Sequence, residues 1–344
     1  MGNVMKKVVI AASAVLAMGI TTASAADLGA KMYKKAPPIV AAYDPWDVAF
    51  GASITNNYLF RGISQSNNKP SVTAYFEPRF NVNKDLQLYI GTSASSISFP
   101  NRAAVEIDGY FGIRPTFGAA AFDFGFWYYG YPGGQCFAGA AADPAGNPLG
   151  ADCAANGLLN GNVMKRDVSF YEGYAKFNYT FNDYFTMGVS DNYSPNFLNT
   201  GAWGNYAAVT AKAIAPTTWF GSSGVGMYAS GEFGRQWFGT SDSFYGTAAA
   251  APGFAGPFPN GIKYSDYNTW NIGIGFTYKV FTLDLRYSDT SLNKGDCNAF
   301  TSDHTATFGG NFTSINPGGF GSSWCGATGI VKLSADLTAM QNLK

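Results

Sequence analysis

Alternation with a period of two, held for ten or more residues at a time, restricts this chain more than any other feature. In WDVAFGASIT, residues 46–55, Trp46, Val48, Phe50, Ala52 and Ile54 fall on one face and Asp47, Ala49, Gly51, Ser53 and Thr55 on the other, because successive side chains of a strand point to opposite sides. In SVTAYFEPRFNV, Val72, Ala74, Phe76 and Phe80 oppose Ser71, Thr73, Glu77 and Arg79. In AVEIDGYFGIRPTF, Val105, Ile107, Phe111 and Ile113 oppose Glu106, Asp108, Tyr110 and Arg114. A soluble sandwich would also alternate, with the apolar face as its core.

Segment length separates these alternatives. Twelve alternating segments lie near 46–60, 71–82, 86–97, 104–117, 119–130, 167–181, 184–194, 203–213, 223–234, 267–279, 281–290 and 328–338. Most reach the roughly ten residues that a tilted strand needs to cross a bilayer, whereas sandwich strands are nearer five or six. The connections alternate too: NKD, FGA, ND and KV are brief, and the links after the first, fifth, seventh, ninth and eleventh segments are long. IAPTTWFGSS is long for a turn and SFPNRA is short for a loop, and both fit this rhythm poorly. The expectation is an all-β, antiparallel, up-and-down transmembrane barrel of about twelve strands and outer-membrane type, with short turns on one rim and long loops on the other. An even strand number puts both termini on the short-turn, periplasmic side.

The N-terminal residues agree with export. MGNVMKK is basic, Val8 to Ile20 is apolar, and Ala23 to Ala25 offers small residues for cleavage, so residues 1–25 read as a signal peptide. Residues 26–45, with three prolines and no alternation, read as a periplasmic tail, 46–338 as the barrel and 339–344 as a short C-terminal tail. Without Lys6 and Lys7, 20 basic residues face 22 acidic ones, and there is no basic run to attract nucleic acid. The 42 Gly, 28 Phe, 21 Tyr and 7 Trp, with only 13% charged residues, suit strands and turns. Aromatic girdles are expected from Trp46, Phe80, Phe117, Phe181, Tyr278 and Phe281 at one rim and from Tyr58, Phe60, Tyr128 and Tyr287 at the other.

Parity assigns the lumen. Asp47, Glu77, Glu106, Asp108, Asp123, Glu172, Glu232, Asp284 and Asp336 would face inward with Arg79, Arg114, Lys176, Lys212, Arg286 and Lys332, a weak lean toward cations unless the charges satisfy one another. Continued upward, the first strand would turn Tyr58 and Phe60 to lipid and Asn57 and Arg61 to the lumen at the extracellular mouth. Arg61 would then either pin the first loop to a wall carboxylate or filter solutes by charge.

The run NNYLFRGISQSNNKPSVTAYFE resembles the signature of the TorF family of porins through Tyr58, Phe60, Arg61, Gly62, Ser64 and Gln65, and FTLDLRYSDTSL is similar to that family's penultimate strand. The resemblance implies an outer-membrane barrel with passive transport. The cysteine-bearing loops look longer than is usual in that family, and the chain ends without a terminal aromatic, where Leu337 would serve.

Cys136 and Cys153 share one loop and Cys297 and Cys325 another. Of three connectivities the local pairs are the simplest in an oxidising periplasm, and zinc lacks CxxC spacing and supporting histidines. Ser302, Asp303 and His304 admit a hydrolase reading, and the GVG and GIG runs at Gly224 and Gly273 lack the helix of a nucleotide fold. The functional expectation is a non-enzymatic channel for small hydrophilic solutes or ions, without cofactor or metal. A closed structural or adhesive barrel and a rim enzyme are the alternatives. The expected partners are outer-membrane lipid and lipopolysaccharide, the barrel-assembly machinery, small solutes and a second copy of the chain.

Overall fold

The computed structural model describes residues 45–343. The leader and, apart from Pro45, the expected tail lie outside them. The twelve long strands are β1 (Trp46–Thr55), β2 (Ser71–Asn83), β3 (Leu86–Ser96), β4 (Val105–Phe117), β5 (Ala120–Gly130), β6 (Phe170–Asn182), β7 (Phe185–Ser194), β8 (Gly204–Ile214), β9 (Val225–Phe238), β10 (Tyr267–Tyr278), β11 (Phe281–Thr290) and β12 (Thr328–Thr338). Each pairs antiparallel with its neighbour in sequence, and β12 closes on β1 with Phe50 opposite Leu337 and Thr55 opposite Lys332. Closure leaves the barrel wall without an edge strand, so each wall strand pairs on both sides, with register irregularities near Asn81–Asn83 and Thr180–Asn182.

Connections 84–85, 118–119, 183–184, 215–224 and 279–280 form one rim, and 56–70, 97–104, 131–169, 195–203, 239–266 and 291–327 form the other. The two misfits of the sequence keep their rims, since 215–224 is a turn enlarged by a 3-10 segment at Thr217–Phe220. After β12 a short helix covers Ala339–Asn342.

The outward face is apolar. Val72, Phe76, Ile90, Phe111, Phe233, Ile272 and Val331 are each at least 50% exposed. In water each would forgo about 1.5–3 kcal/mol of burial, so the solvent suited to this surface is hydrocarbon. Trp46, Phe117, Phe181, Tyr278 and Phe281 are exposed at the short-turn rim, and Tyr128 and Tyr287 are joined by Tyr171 and Tyr193 toward the other.

One expectation is overturned at the top of β1. The strand stops at Thr55, opposite Ser71, and residues 56–70 leave the wall and fold into the barrel. Tyr58 is 5% exposed, and Phe60 packs on the interior cluster, so neither faces lipid. Parity holds only while a residue belongs to a ladder. Here Leu59–Phe60 pairs instead with Ile63–Ser64, and the reversal runs through Arg61 (φ 49°) and Gly62 (φ 77°), a left-handed turn that glycine makes easily and arginine only under tertiary constraint.

Above the wall, two disulfides, Cys136–Cys153 and Cys297–Cys325, each close one loop. The two loops are joined to each other: Asn160 Nδ2 donates to the Asp303 carbonyl (2.7 Å) and the Ser302 hydroxyl to the Val163 carbonyl (2.6 Å).

Candidate functional site in the barrel lumen

By strand parity every residue of the expected lumen set falls on the inward face. Between these charges, six tyrosines lie across the wall in place of projecting to the axis. Tyr75 covers Gly51, Tyr89 covers Gly112, Tyr110 covers Gly91, Tyr174 covers Gly125, Tyr206 covers Gly234 and Tyr228 covers Gly275, and a Cβ at any of these glycines would collide with the ring above it. Only a residue without a side chain leaves room for a ring laid flat on the neighbouring strand. Four of the hydroxyls then reach wall carboxylates: Tyr228 donates to Asp284 (2.7 Å), Tyr206 to Glu232 (2.7 Å), Tyr89 to Asp123 (2.5 Å) and Tyr75 to Asp336 (3.2 Å).

Several of the charges are matched within the wall. Glu77 is held by Arg79 (2.6 Å) and Arg114 (2.8 Å), and Arg114 also meets Asp123 (3.3 Å) and lies 3.6 Å from the Tyr89 ring centroid. Arg286 reaches Asp284 (3.0 Å), Asn271 (2.6 Å) and Ser230 (2.8 Å). Lys176 sits over Tyr174 and Lys212 over Tyr228. A count of inward charges is therefore a poor guide to the sign of charge the lumen favours, because charges paired within the wall cancel part of its field.

The folded-in loop occupies the lumen toward the long-loop rim. The Tyr58 hydroxyl donates to Glu106 on β4 (2.6 Å), beside Asp108, which accepts from Ser93 (2.7 Å). Asn57 ties the loop to itself through Asn68, Ser64 and Ser66. Arg61 reaches the far wall: one terminal nitrogen donates to Gln236 Oε1 on β9 (2.9 Å) and the other to Glu172 Oε2 on β6 (2.7 Å), while Tyr267 of β10 donates to the Arg61 carbonyl (3.3 Å). Its guanidinium carbon is 4.6 Å from the ring centroids of both Phe60 and Tyr206 and 5.8 Å from that of Phe197. Arg61 is 3% and Glu172 1% exposed. Arg61 thus lies inside the barrel, in contact with a wall carboxylate as one of the two sequence readings required, and the other contacts come from residues that reading did not single out.

Gln236 escapes the sequence reading because the alternation there ends at 234. Arg235 on the outer face breaks the apolar series, yet Gln236 and Phe238 continue the inward one. Tyr206, Phe197 and Tyr267 carry no local signal, as aromatics are common throughout the chain. Ser302, Asp303 and His304 do not assemble a relay: Asp303 accepts from Thr305 and Ser322, both 2.7 Å, and Ser302 donates to Val163. Burial holds the His304 imidazole below its ordinary pKa, with Arg102 adding to the effect. Among the described residues no group of three or more His, Cys, Asp and Glu is placed to hold a metal ion.

A family described as a bacterial protein of unknown function (Gcw_chp) matches residues 40–144, a span that includes the Tyr58–Gln65 run. No curated protein matches the chain in sequence. Among solved structures, the COG4313 outer membrane channel of Pseudomonas putida F1 is similar at 7% identity over 89% of this chain and 100% of that one, with a TM-score of 0.43. A FadL homologue of Pseudomonas aeruginosa gives 12%, 85% and 90%, with a TM-score of 0.39, and the toluene transporter TodX of Pseudomonas putida gives 10%, 95% and 96%, with 0.38.

Proposed function

We propose that this protein is an outer-membrane channel for passive diffusion of small hydrophilic solutes or ions, with residues 56–70 as its closure. The observation that carries the reading is the set of tyrosines laid across glycines: their rings lie flat along the wall, and Tyr75, Tyr89, Tyr206 and Tyr228 hold their hydroxyls on carboxylates, which puts polar groups along the inner face. The apolar exterior supports insertion in lipid, and the alternation of short and long connections supports termini on the periplasmic side with lipopolysaccharide around the other rim. The Tyr58–Gln65 run supports kinship with the TorF porins. Twelve strands enclose less room than the sixteen or eighteen of open porins, so a single inserted loop is enough to close the path.

A second reading, a closed structural or adhesive barrel, is favoured by the aromatic packing around Arg61. Phe197 stacks among Phe60, Phe170, Phe238 and Phe300, with centroids 4.7–6.4 Å away. Single-channel recording in planar bilayers decides between them. Under the channel reading, folded Arg61→Ala protein gives larger or more frequent steps than wild type; silence from both proteins would reject the channel and favour the closed barrel.

A further inference from the structure

We infer that the seat of Arg61 is a binding site for a guanidinium-bearing organic cation, occupied in this conformation by the protein's own loop. Most of the seat belongs to the barrel and not to the loop. Glu172 comes from β6, Gln236 from β9, Tyr206 from β8 and Phe197 from the 195–203 connection; only Phe60 arrives with Arg61. If the loop withdraws, the carboxylate, the amide oxygen and two rings remain, with Glu172 deprived of its cation. The carboxylate would keep the Tyr129 hydroxyl (3.3 Å) but lose its cation, and a negative group flanked by aromatic rings favours a positive occupant.

The geometry narrows the class further. Two acceptors on different strands are met by two nitrogens of one planar fork, 2.9 and 2.7 Å away, with ring centroids at 4.6 Å. A guanidinium satisfies this arrangement by its shape, whereas an ammonium is a compact, strongly hydrated point charge. The other oxygen of the same carboxylate, Glu172 Oε1, is buried without a hydrogen-bond partner among the described residues, so the seat retains an acceptor that Arg61 does not use. A ligand with one more donor than Arg61 presents there would engage it. The step from this site to the cargo rests on the channel reading: a guanidinium-bearing solute that displaces Arg61 would release the loop as it enters.

The test uses guanidinium chloride as the probe and urea, its uncharged isostere, as the control, at matched ionic strength and far below denaturing concentrations. Arg61→Ala protein, its folding checked by heat-modifiable electrophoretic mobility, is titrated calorimetrically. Saturable guanidinium binding at least about tenfold tighter than urea is expected, with the same loss of affinity in Arg61→Ala/Glu172→Gln and in wild type, whose seat is filled. Equal binding of both probes, or binding unaffected by Glu172→Gln, would overturn the inference. Should Arg61→Ala fold only with help, its refolding yield with guanidinium against urea becomes the readout, and no difference refutes the site. Bilayer recording separates the two claims: binding without current in any variant keeps the site and rejects the channel, and current without binding does the reverse.

Discussion

Gly275→Ala tests whether the tyrosine lining is built as described. The added methyl would collide with Cζ of Tyr228, so the ring must lift from the wall. Overpacking of this kind costs about 1–3 kcal/mol. Lifting the ring also breaks the 2.7 Å bond from the Tyr228 hydroxyl to Asp284, and a hydrogen bond to a charged group contributes about 1.5–3 kcal/mol. Allowing for partial relaxation, the substitution should destabilise the barrel by about 2–4 kcal/mol. Gly329→Ala is the internal control. It too lies in a strand, but a Cβ there meets nothing within 4 Å, so the change should be neutral or stabilising by up to about 1 kcal/mol through lower backbone freedom in the unfolded chain. Both are measured by reversible urea unfolding in lipid vesicles, followed by tryptophan fluorescence. The decisive variant is Tyr228→Ala/Gly275→Ala: with the ring gone, the alanine should add almost nothing to the cost of Tyr228→Ala, a coupling of about 2 kcal/mol or more. An undiminished penalty in the double variant, or a Gly275→Ala as mild as Gly329→Ala, would refute the idea that these glycines exist to seat rings.

Two further outcomes concern the loop dome. Cys136→Ser/Cys153→Ser opens a loop of sequence separation 17, and chain entropy sets the loss at about 3 kcal/mol for that loop length; faster amide exchange in 131–169, extending to the residues of 291–327 bonded to it, with the wall unchanged, is expected, and uniform protection would contradict it. His304 is half-buried, and its folded pKa lies below the unfolded value. Near that range the unfolded chain binds more protons, so dome stability rises with pH and is lost as pH falls through the unfolded value of about 6.5 toward the folded one. His304→Gln should flatten this acid limb in amide exchange of 291–327, and an unchanged limb would assign the effect elsewhere.

The barrel was legible in the sequence because its determinants are local. Alternation along a strand needs only the strand itself, and segments such as 281–290 and 328–338 coincide with β11 and β12. The limits of that logic appear where the ladder ends. Residues 56–60 continue an apparent alternation that has no wall to refer to, and Arg235 interrupts one that the wall continues.

The lumen was legible only as a list of inward positions. Which tyrosine covers which glycine depends on the register between neighbouring strands, and Arg61 meets partners 111 and 175 residues away. By itself, then, the sequence determined that the chain alternates as a lipid-facing barrel with a polar inside, since face follows from the two-residue period of an extended backbone. Only the tertiary structure decided that the first loop turns inward and seats a buried guanidinium between an acid, an amide and aromatic rings, because closure of the sheet brings those distant strands within reach of one side chain.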